Sequence, residues 1–280
     1  METAKKKRLA LVGCGKLGRL FAEAYCMGLL PDYELAGALS RRPERARELA
    51  GIAGCKACET LDELLDLKPD YVVEMASVAA VKEMAETVLS RGADLIVLSI
   101  GAFADGAFYR QVRETAARSH TRVHIASGAV GGFDVLRTVT LMGEVSRRLD
   151  KSLEGSGTEE APVRASMETR KTPRSLKGSP LYREAMETEE MEAFRGSAKD
   201  AIAMLPTHVN VSVAASLATS GTDHLKYRIV SVPDMTGDDH RITAEIDGVK
   251  AVVDVYSASG DIAAWSVVAL LQNLASPIVF

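Results

Sequence analysis

The segment Gly13-Cys-Gly15-Lys-Leu-Gly18 fits G-x-G-x-x-G, between an apolar run, Arg8-Leu-Ala-Leu-Val12, and a helical stretch, Leu17 to Leu30. In that setting Gly13 permits a tight turn, Gly15 lets a pyrophosphate approach the backbone, and Gly18 lets helix and strand pack closely. The helix start then offers unpaired N–H groups and a partial positive charge to the phosphates. The turn predicts a dinucleotide site built from Gly13, Gly15, Lys16, Leu17 and Gly18; a glycine-rich turn without a ligand is the alternative.

The first half of the chain continues the alternation. Strands are expected at Tyr33–Leu39, Tyr71–Met75, Asp94–Ser99 and 122–126, with helices at Pro43–Ala50, Val78–Ser90 and Phe108–Ser119 between them. Near-continuous apolar strands separated by helices predict a parallel sheet covered on both faces. The fold class is therefore α/β: a Rossmann-type doubly wound sheet over residues 1–126, followed by a second, α+β domain with a mixed or antiparallel sheet over 127–258. A strongly apolar last helix, within 259–280, is expected to pack back on the first domain.

In the second half Phe133–Glu144 reads as a helix. Lys151–Arg195 is polar and reads as irregular and strand-poor, with a short helix near Ser179–Ala193. Helices follow at Ala198–Leu205 and Val211–Ala218, broken by Pro206. Lys226–Val232, Arg241–Ile246 and Lys250–Tyr256 read as antiparallel strands, the last two joined by Asp247-Gly248.

Composition narrows the partners. The 280 residues carry 34 Lys and Arg against 38 Asp and Glu, a net charge of −4, which gives no footprint for nucleic acid. No apolar run reaches the ~20 residues a membrane helix needs, and the charged N-terminus lacks a signal peptide's apolar stretch, so a cytoplasmic protein is expected. Cys55-Lys-Ala-Cys58 has no second ligand pair nearby, and the histidines show no metal-ligand spacing; reduced thiols and no metal are expected.

An NAD site usually carries an acid about 20 residues past the glycine motif to bond the ribose 2′-hydroxyl. Here the second strand ends Leu39-Ser40-Arg41-Arg42, a hydroxyl and two guanidiniums suited to a 2′-phosphate. NADP is expected, with NAD possible; alternatively Ser40 N-caps the next helix and the arginines are solvated. Ser99 and Gly101, ending the fourth strand, sit where the cofactor's ribose would be lined. Ser127 and Gly128 leave the fifth strand at the rim where open α/β sheets bind ligands, and could take a substrate carboxylate. Lys171 is a candidate cation for the same purpose.

Several segments in order resemble the L-aspartate dehydrogenase family: His124-Ile-Ala-Ser-Gly-Ala-Val-Gly-Gly132, Arg170-Lys-Thr-Pro173, Gly196-Ser-Ala-Lys-Asp-Ala-Ile202, Pro206-Thr-His-Val-Asn-Val-Ser-Val-Ala214 and Asp238-Asp-His-Arg-Ile242. The resemblance implies reversible oxidative deamination of L-aspartate, through iminosuccinate, to oxaloacetate and ammonia, in a homodimer. It puts the acid/base on His240, and Asn210 and Ala129 beside the nicotinamide, with Asn210 and Asp238 also near the substrate. A histidine suits such a role because its ordinary pKa of about 6.5 lies near neutrality, and Asp238 or Asp239 could orient its ring. The chain departs from the family pattern in three places: Ala126 for a proline, Asp238 for an asparagine, and Tyr256-Ser-Ala-Ser-Gly260 for an N-P-K-T-S segment. Two other readings follow, a reductase of a different amino acid or imine on the same scaffold and a non-catalytic NADP sensor.

Overall fold

A computed structural model describes residues 5–154, 161–205 and 210–280. The chain forms two compact units, one reaching to Gly128 and including Asp261–Phe280, the other Ala129–Gly260.

The first unit is a six-stranded parallel sheet built from β1 (Lys7–Val12), β2 (Tyr33–Leu39), β3 (Lys56–Cys58), β4 (Tyr71–Glu74), β5 (Asp94–Val97) and β6 (Val123–Ile125), in the order β3-β2-β1-β4-β5-β6. This is the doubly wound order, with the strand order reversing beside β1. The helices are α1 (Lys16–Cys26), α2 (Pro43–Ala53), α3 (Leu61–Leu65), α4 (Val78–Ser90) and α5 (Gly106–Ser119). Side chains cap three of them: Thr60 accepts from Glu63 N–H, Ser77 from Ala80 N–H, and Asp105 from Ala107 and Phe108 N–H. Leu9, Leu11, Phe21 and Ile96 are fully buried between sheet and helices, each stabilising the unit by about 1.5–3 kcal/mol. The last helix, here α9 (Ile262–Ala275), belongs to this unit. Its Leu271 carbonyl accepts from the buried Tyr33 hydroxyl at 2.7 Å, and Val267, Val268 and Leu271 join the core around Phe21. The three-residue β3 and the five-residue α3 are additional to the expected elements; both are too short to leave a periodic signal.

The second unit corrects the reading of 151–195. The helix expected at 133–144 runs on as α6 (Phe133–Glu154). Among the described residues, the stretch beyond it holds two strands, β7 (Arg164–Lys171) and β8 (Met191–Ser197), and short 3-10 turns at Pro173–Leu176 and Glu184–Glu187. β7 alternates buried Ala165, Met167, Thr169 and Lys171 with outward Arg, Ser and Glu, so its period is two although its inner set ends in polar residues. The unit continues with α7 (Ala198–Met204), α8 (Asn210–Ala218), β9 (Lys226–Ser231), β10 (Asp238–Ile246) and β11 (Val249–Ser257). The five strands lie in the order β11-β10-β7-β9-β8. β10 runs antiparallel to both β11 and β7 and β8 antiparallel to β9, while β9 pairs with β7 in parallel; the sheet is mixed, one of the two forms expected, and β9, β10 and β11 alternate in direction as read. Asp247 and Gly248 make the two-residue β10–β11 turn, with Gly248 at φ +77.

Candidate functional site

Two clusters emerge, one in each unit. The first surrounds the glycine turn. Gly13 has φ +106, and a Cβ there would meet the Met75 carbonyl carbon at 2.5 Å; one on Gly18 would strike the Gly13 carbonyl oxygen. Gly15 has nothing within 4 Å of its would-be Cβ. It is the N-cap of α1, with no side-chain cap and no acidic residue in the first turn. The two outer glycines thus fold the turn, and the middle one leaves open space over uncapped N–H groups, which suits a pyrophosphate.

A cavity of about 300 Å³ adjoins this turn, its walls including Gly15, Lys16, Arg19, Arg45 and Glu48. Lys16 Nζ lies 2.5 Å from Asp261 Oδ1, and Arg19 pairs with Glu23 and Glu48. Arg41 and Arg42 at the end of β2 and Arg45 on α2 are exposed, and none has an ion-pair partner among the described residues. Arg45 was missed from sequence because it reads as one more charged position of an amphipathic helix. Ser40 does not N-cap α2: Arg42 holds that position, and its own N–H donates to Ser40 Oγ at 3.3 Å.

At the ends of β4 and β5 the fully buried Glu74 carboxylate accepts from Ala76, Leu98 and Ser99 N–H and from Ser99 Oγ, at 2.7–3.2 Å. Burial pushes its pKa up while these donors pull it down. Ser99 is therefore engaged with Glu74, a residue with no motif signal of its own. Gly101 is buried in the 3-10 turn that follows. Gly128, at φ +64, donates its N–H to Ser266 Oγ at 3.0 Å, Ser127 before it is half-buried, and so is Ala129, the first residue of the second unit.

The second cluster lies on one face of the five-stranded sheet. Register pairs Lys171 with Asp238 on one side and Ser231 on the other, and Thr169 with His240 and Ile229. Paired residues share a face, so the two rows stand side by side. His240 is only 4% exposed and sits inside β10, which begins at Asp238 rather than at the expected Arg241. Its Nδ1 lies 3.0 Å from Thr169 Oγ1, and the Tyr227 hydroxyl donates to the same oxygen at 2.9 Å. Thr169, rather than Asp238 or Asp239, therefore orients the ring. Burial holds the imidazole pKa down at about 4, with Lys171 lowering it and Asp238 opposing. The ring is neutral around neutrality, which corrects the expectation of titration near 6.5.

Lys171, 9% exposed, has Nζ 3.7 Å from Asp238 Oδ2. Ser231 is fully buried, and its Oγ has no hydrogen-bond partner among the described residues. A buried hydroxyl without a partner is costly unless a ligand completes it. Neither Thr169 nor Ser231 was foreseen, since each reads as an ordinary strand residue until register sets it beside His240 or Lys171. Asn210 opens α8 and is half-buried, while the preceding Pro206, Thr207, His208 and Val209 of the P-x-x-V-N-V segment lie outside the described residues. Among the described residues, no group of three or more His, Cys, Asp or Glu is placed to hold a metal ion.

Comparison with known proteins fits this division. The family "Aspartate dehydrogenase, C-terminal" matches residues 157–274, and "Homoserine dehydrogenase, NAD binding domain" matches 13–126. The chain is 31% identical over 279 residues to an L-aspartate dehydrogenase of Methanospirillum hungatei, covering 97% of this chain and 98% of that one. It is 32% identical over 237 residues to L-aspartate dehydrogenase 1 of Bordetella pertussis, covering 85% and 81%. Among solved structures, aspartate dehydrogenase from Thermotoga maritima superposes with a TM-score of 0.75 at 25% identity, over 98% of this chain and 99% of that one. The chain belongs to the L-aspartate dehydrogenase family and is an NAD(P)-dependent amino-acid dehydrogenase.

Proposed function

We propose that the protein catalyses the reversible oxidative deamination of L-aspartate, through iminosuccinate, to oxaloacetate and ammonia, with NADP preferred over NAD. The observation that carries this reading is the row on one sheet face, where a buried neutral imidazole, His240, stands beside a buried cation, Lys171, and an unsatisfied hydroxyl, Ser231. A dicarboxylic amino acid needs cationic and hydroxyl partners for its carboxylates and a proton-handling group at its nitrogen.

Gly13, Gly15, Lys16, Leu17 and Gly18 would hold the cofactor's pyrophosphate turn, Ser99 and Gly101 its ribose, and Ala129 and Asn210 its nicotinamide end. Arg41, Arg42 and Arg45 would surround a 2′-phosphate, with Ser40 Oγ as a further partner. When bound, the nicotinamide supplies the acceptor, or in reverse the donor, of the substrate's Cα hydride. His240 is the acid/base at the substrate nitrogen and at the water that hydrolyses the imine. Lys171 and Ser231 hold one substrate carboxylate; the Ser127 hydroxyl is the candidate partner of the other, since the Gly128 N–H is engaged by Ser266, and Asp238 tunes Lys171. The enzyme is read as a cytoplasmic homodimer. The exposed apolar side chains of Val135, Leu141, Met142 and Val145 on α6 support the second copy, and no helix among the described residues is long and apolar enough to cross a membrane.

Steady-state rates, followed by nicotinamide absorbance, test the substrate and the cofactor together. The expected result is turnover of L-aspartate, and of oxaloacetate with ammonia, at a higher kcat/KM for NADP than for NAD. Turnover confined to another amino acid would leave the scaffold and replace the substrate. Cofactor binding with no turnover on any amino acid or oxo acid would favour a sensor instead.

A further inference from the structure

We propose that Thr169 and Tyr227 are positioning residues that hold His240 in the tautomer with its proton on Nε2, so that the resting ring meets the substrate as a hydrogen-bond donor. The inference rests on the reading of His240 as the group at the substrate nitrogen, and it adds which of the ring's two faces, lone pair or N–H, is presented.

The argument is a count of buried protons. Three polar atoms form a line: Tyr227 Oη, Thr169 Oγ1 and His240 Nδ1, joined at 2.9 Å and 3.0 Å. All three side chains are buried, and the line is held by backbone register, since Thr169 faces His240 directly across β7 and β10. Each hydroxyl carries one proton, and a neutral imidazole carries one on either nitrogen. If Nδ1 bore the proton, three protons would share two contacts, and one of them, on Thr169 or on Tyr227, would be left in the interior without an acceptor among the described residues. In the opposite polarity Tyr227 donates to Thr169, Thr169 donates to Nδ1, and every proton on the line has a partner. Leaving a buried donor unsatisfied is costly, so the second polarity prevails and the ring proton sits on Nε2.

Apolar neighbours keep the line closed. Tyr227 packs against the Phe194 ring at 6.2 Å between centroids, while Met167 and Ile229 are buried on the same strands. The tyrosine is thereby held protonated, its pKa pushed up to about 12 chiefly by burial, and it serves as a fixed terminal donor rather than as a proton sink.

This polarity has a chemical consequence. A neutral imidazole with Nε2–H stabilises a developing lone pair or oxyanion by donation, as is needed when an imine is polarised for reduction. To act as a base at Nε2 the ring must first carry its proton on Nδ1, with the Thr169 hydroxyl turned away from it and one proton of the line left unpaired. The same donor serves the transition state in both directions, and its loss is read most directly in the aminating one.

Histidine labelled with ¹³C and ¹⁵N distinguishes the two neutral tautomers by chemical shift, and the His240 signal is identified by its loss in His240→Asn. The full-length wild-type protein is expected to show the Nε2–H form near neutrality. Thr169→Val should shift the population toward Nδ1–H and lower kcat for amination by about 10–100-fold, within the span of a single proton-handling interaction, with KM for the oxo acid little changed. Thr169→Ser, which restores the hydroxyl, should return both tautomer and rate, and Tyr227→Phe should loosen the tautomer while the ring stays in place. A wild-type ring in the Nδ1–H form, or a tautomer ratio indifferent to Thr169→Val, would overturn the proposal. Full activity in His240→Asn would remove the acid/base reading beneath it; this outcome is distinct, because the tautomer is read without turnover.

Discussion

Lys171 and Asp238 face each other across β7 and β10, with Nζ and Oδ2 3.7 Å apart and the lysine almost wholly buried. The cation proposed to receive a substrate carboxylate is thus partly neutralised by a carboxylate of the protein itself. Asp238→Asn, which keeps the shape and removes the charge, should lower KM for L-aspartate by about 3–10-fold, roughly the 1 kcal/mol scale of a partly exposed ion pair. An unchanged or raised KM would show that Asp238 holds Lys171 in place for the substrate rather than competing with it.

Lys171 and Ser231 flank the same point from neighbouring strands. Lys171→Met should raise KM for aspartate by about 10–100-fold, and Ser231→Ala by about 3–10-fold, with the fold impaired in neither, since the first keeps an apolar stem and the second deletes a hydroxyl that has no partner. Initial-rate measurements across aspartate concentrations check both. A fall in kcat at constant KM would move these residues from substrate binding to the chemical step.

The exposed guanidiniums of Arg41 and Arg42 follow β2 without ion-pair partners among the described residues. Replacing both by Ala should weaken NADP by about 10–100-fold, the worth of one or two charge-assisted phosphate contacts, and leave NAD within about threefold. Titration of nicotinamide fluorescence with each reduced cofactor measures the two affinities. Equal losses for both would remove the 2′-phosphate from this end of β2.

Burial lowers the His240 pKa from 6.5 to about 4, against Asp238 and with Lys171. The unfolded chain therefore takes up a proton at a pH where the folded chain does not. The stability tied to this ring is fully present above about 6.5 and is lost as pH falls toward 4, by up to about 3 kcal/mol. Urea midpoints measured over that window should fall more steeply for the wild type than for His240→Gln, which has no titrating ring. Parallel curves would show that the folded ring titrates near its ordinary value.

Glu74 ties the ends of β4 and β5 together through four donors. Glu74→Gln turns one acceptor oxygen into a donor facing other donors and should cost about 1–3 kcal/mol, read as a lower Tm. A Tm equal to the wild type would mean that the site repacks around the amide.

Much of the first unit was legible in the sequence because its signals are local. β2 and α4 fall on the expected Tyr33–Leu39 and Val78–Ser90, and the glycine turn fixes where β1 ends and α1 begins. Reading 151–195 as irregular failed because β7 presents Arg164, Ser166, Glu168 and Arg170 outward and buries Thr169 and Lys171, so a count of apolar residues sees no strand. The same feature hid half of the site. His240, Lys171 and Asp238 could be singled out one by one, but their juxtaposition, the Thr169–Tyr227 line behind the ring and the orphaned Ser231 hydroxyl arise from strand register between segments some 60 residues or more apart. Register of that kind is set by tertiary packing and leaves no spacing to read.

The central claim is that His240 handles the proton at the substrate nitrogen, and the most direct measurement is kcat/KM for L-aspartate in His240→Ala beside the wild type, with folding checked by circular dichroism. The expected result is a loss of about 10²–10⁴-fold, the range of general acid–base catalysis, with the affinity for the reduced cofactor unchanged. A folded variant within threefold of the wild type would contradict the account.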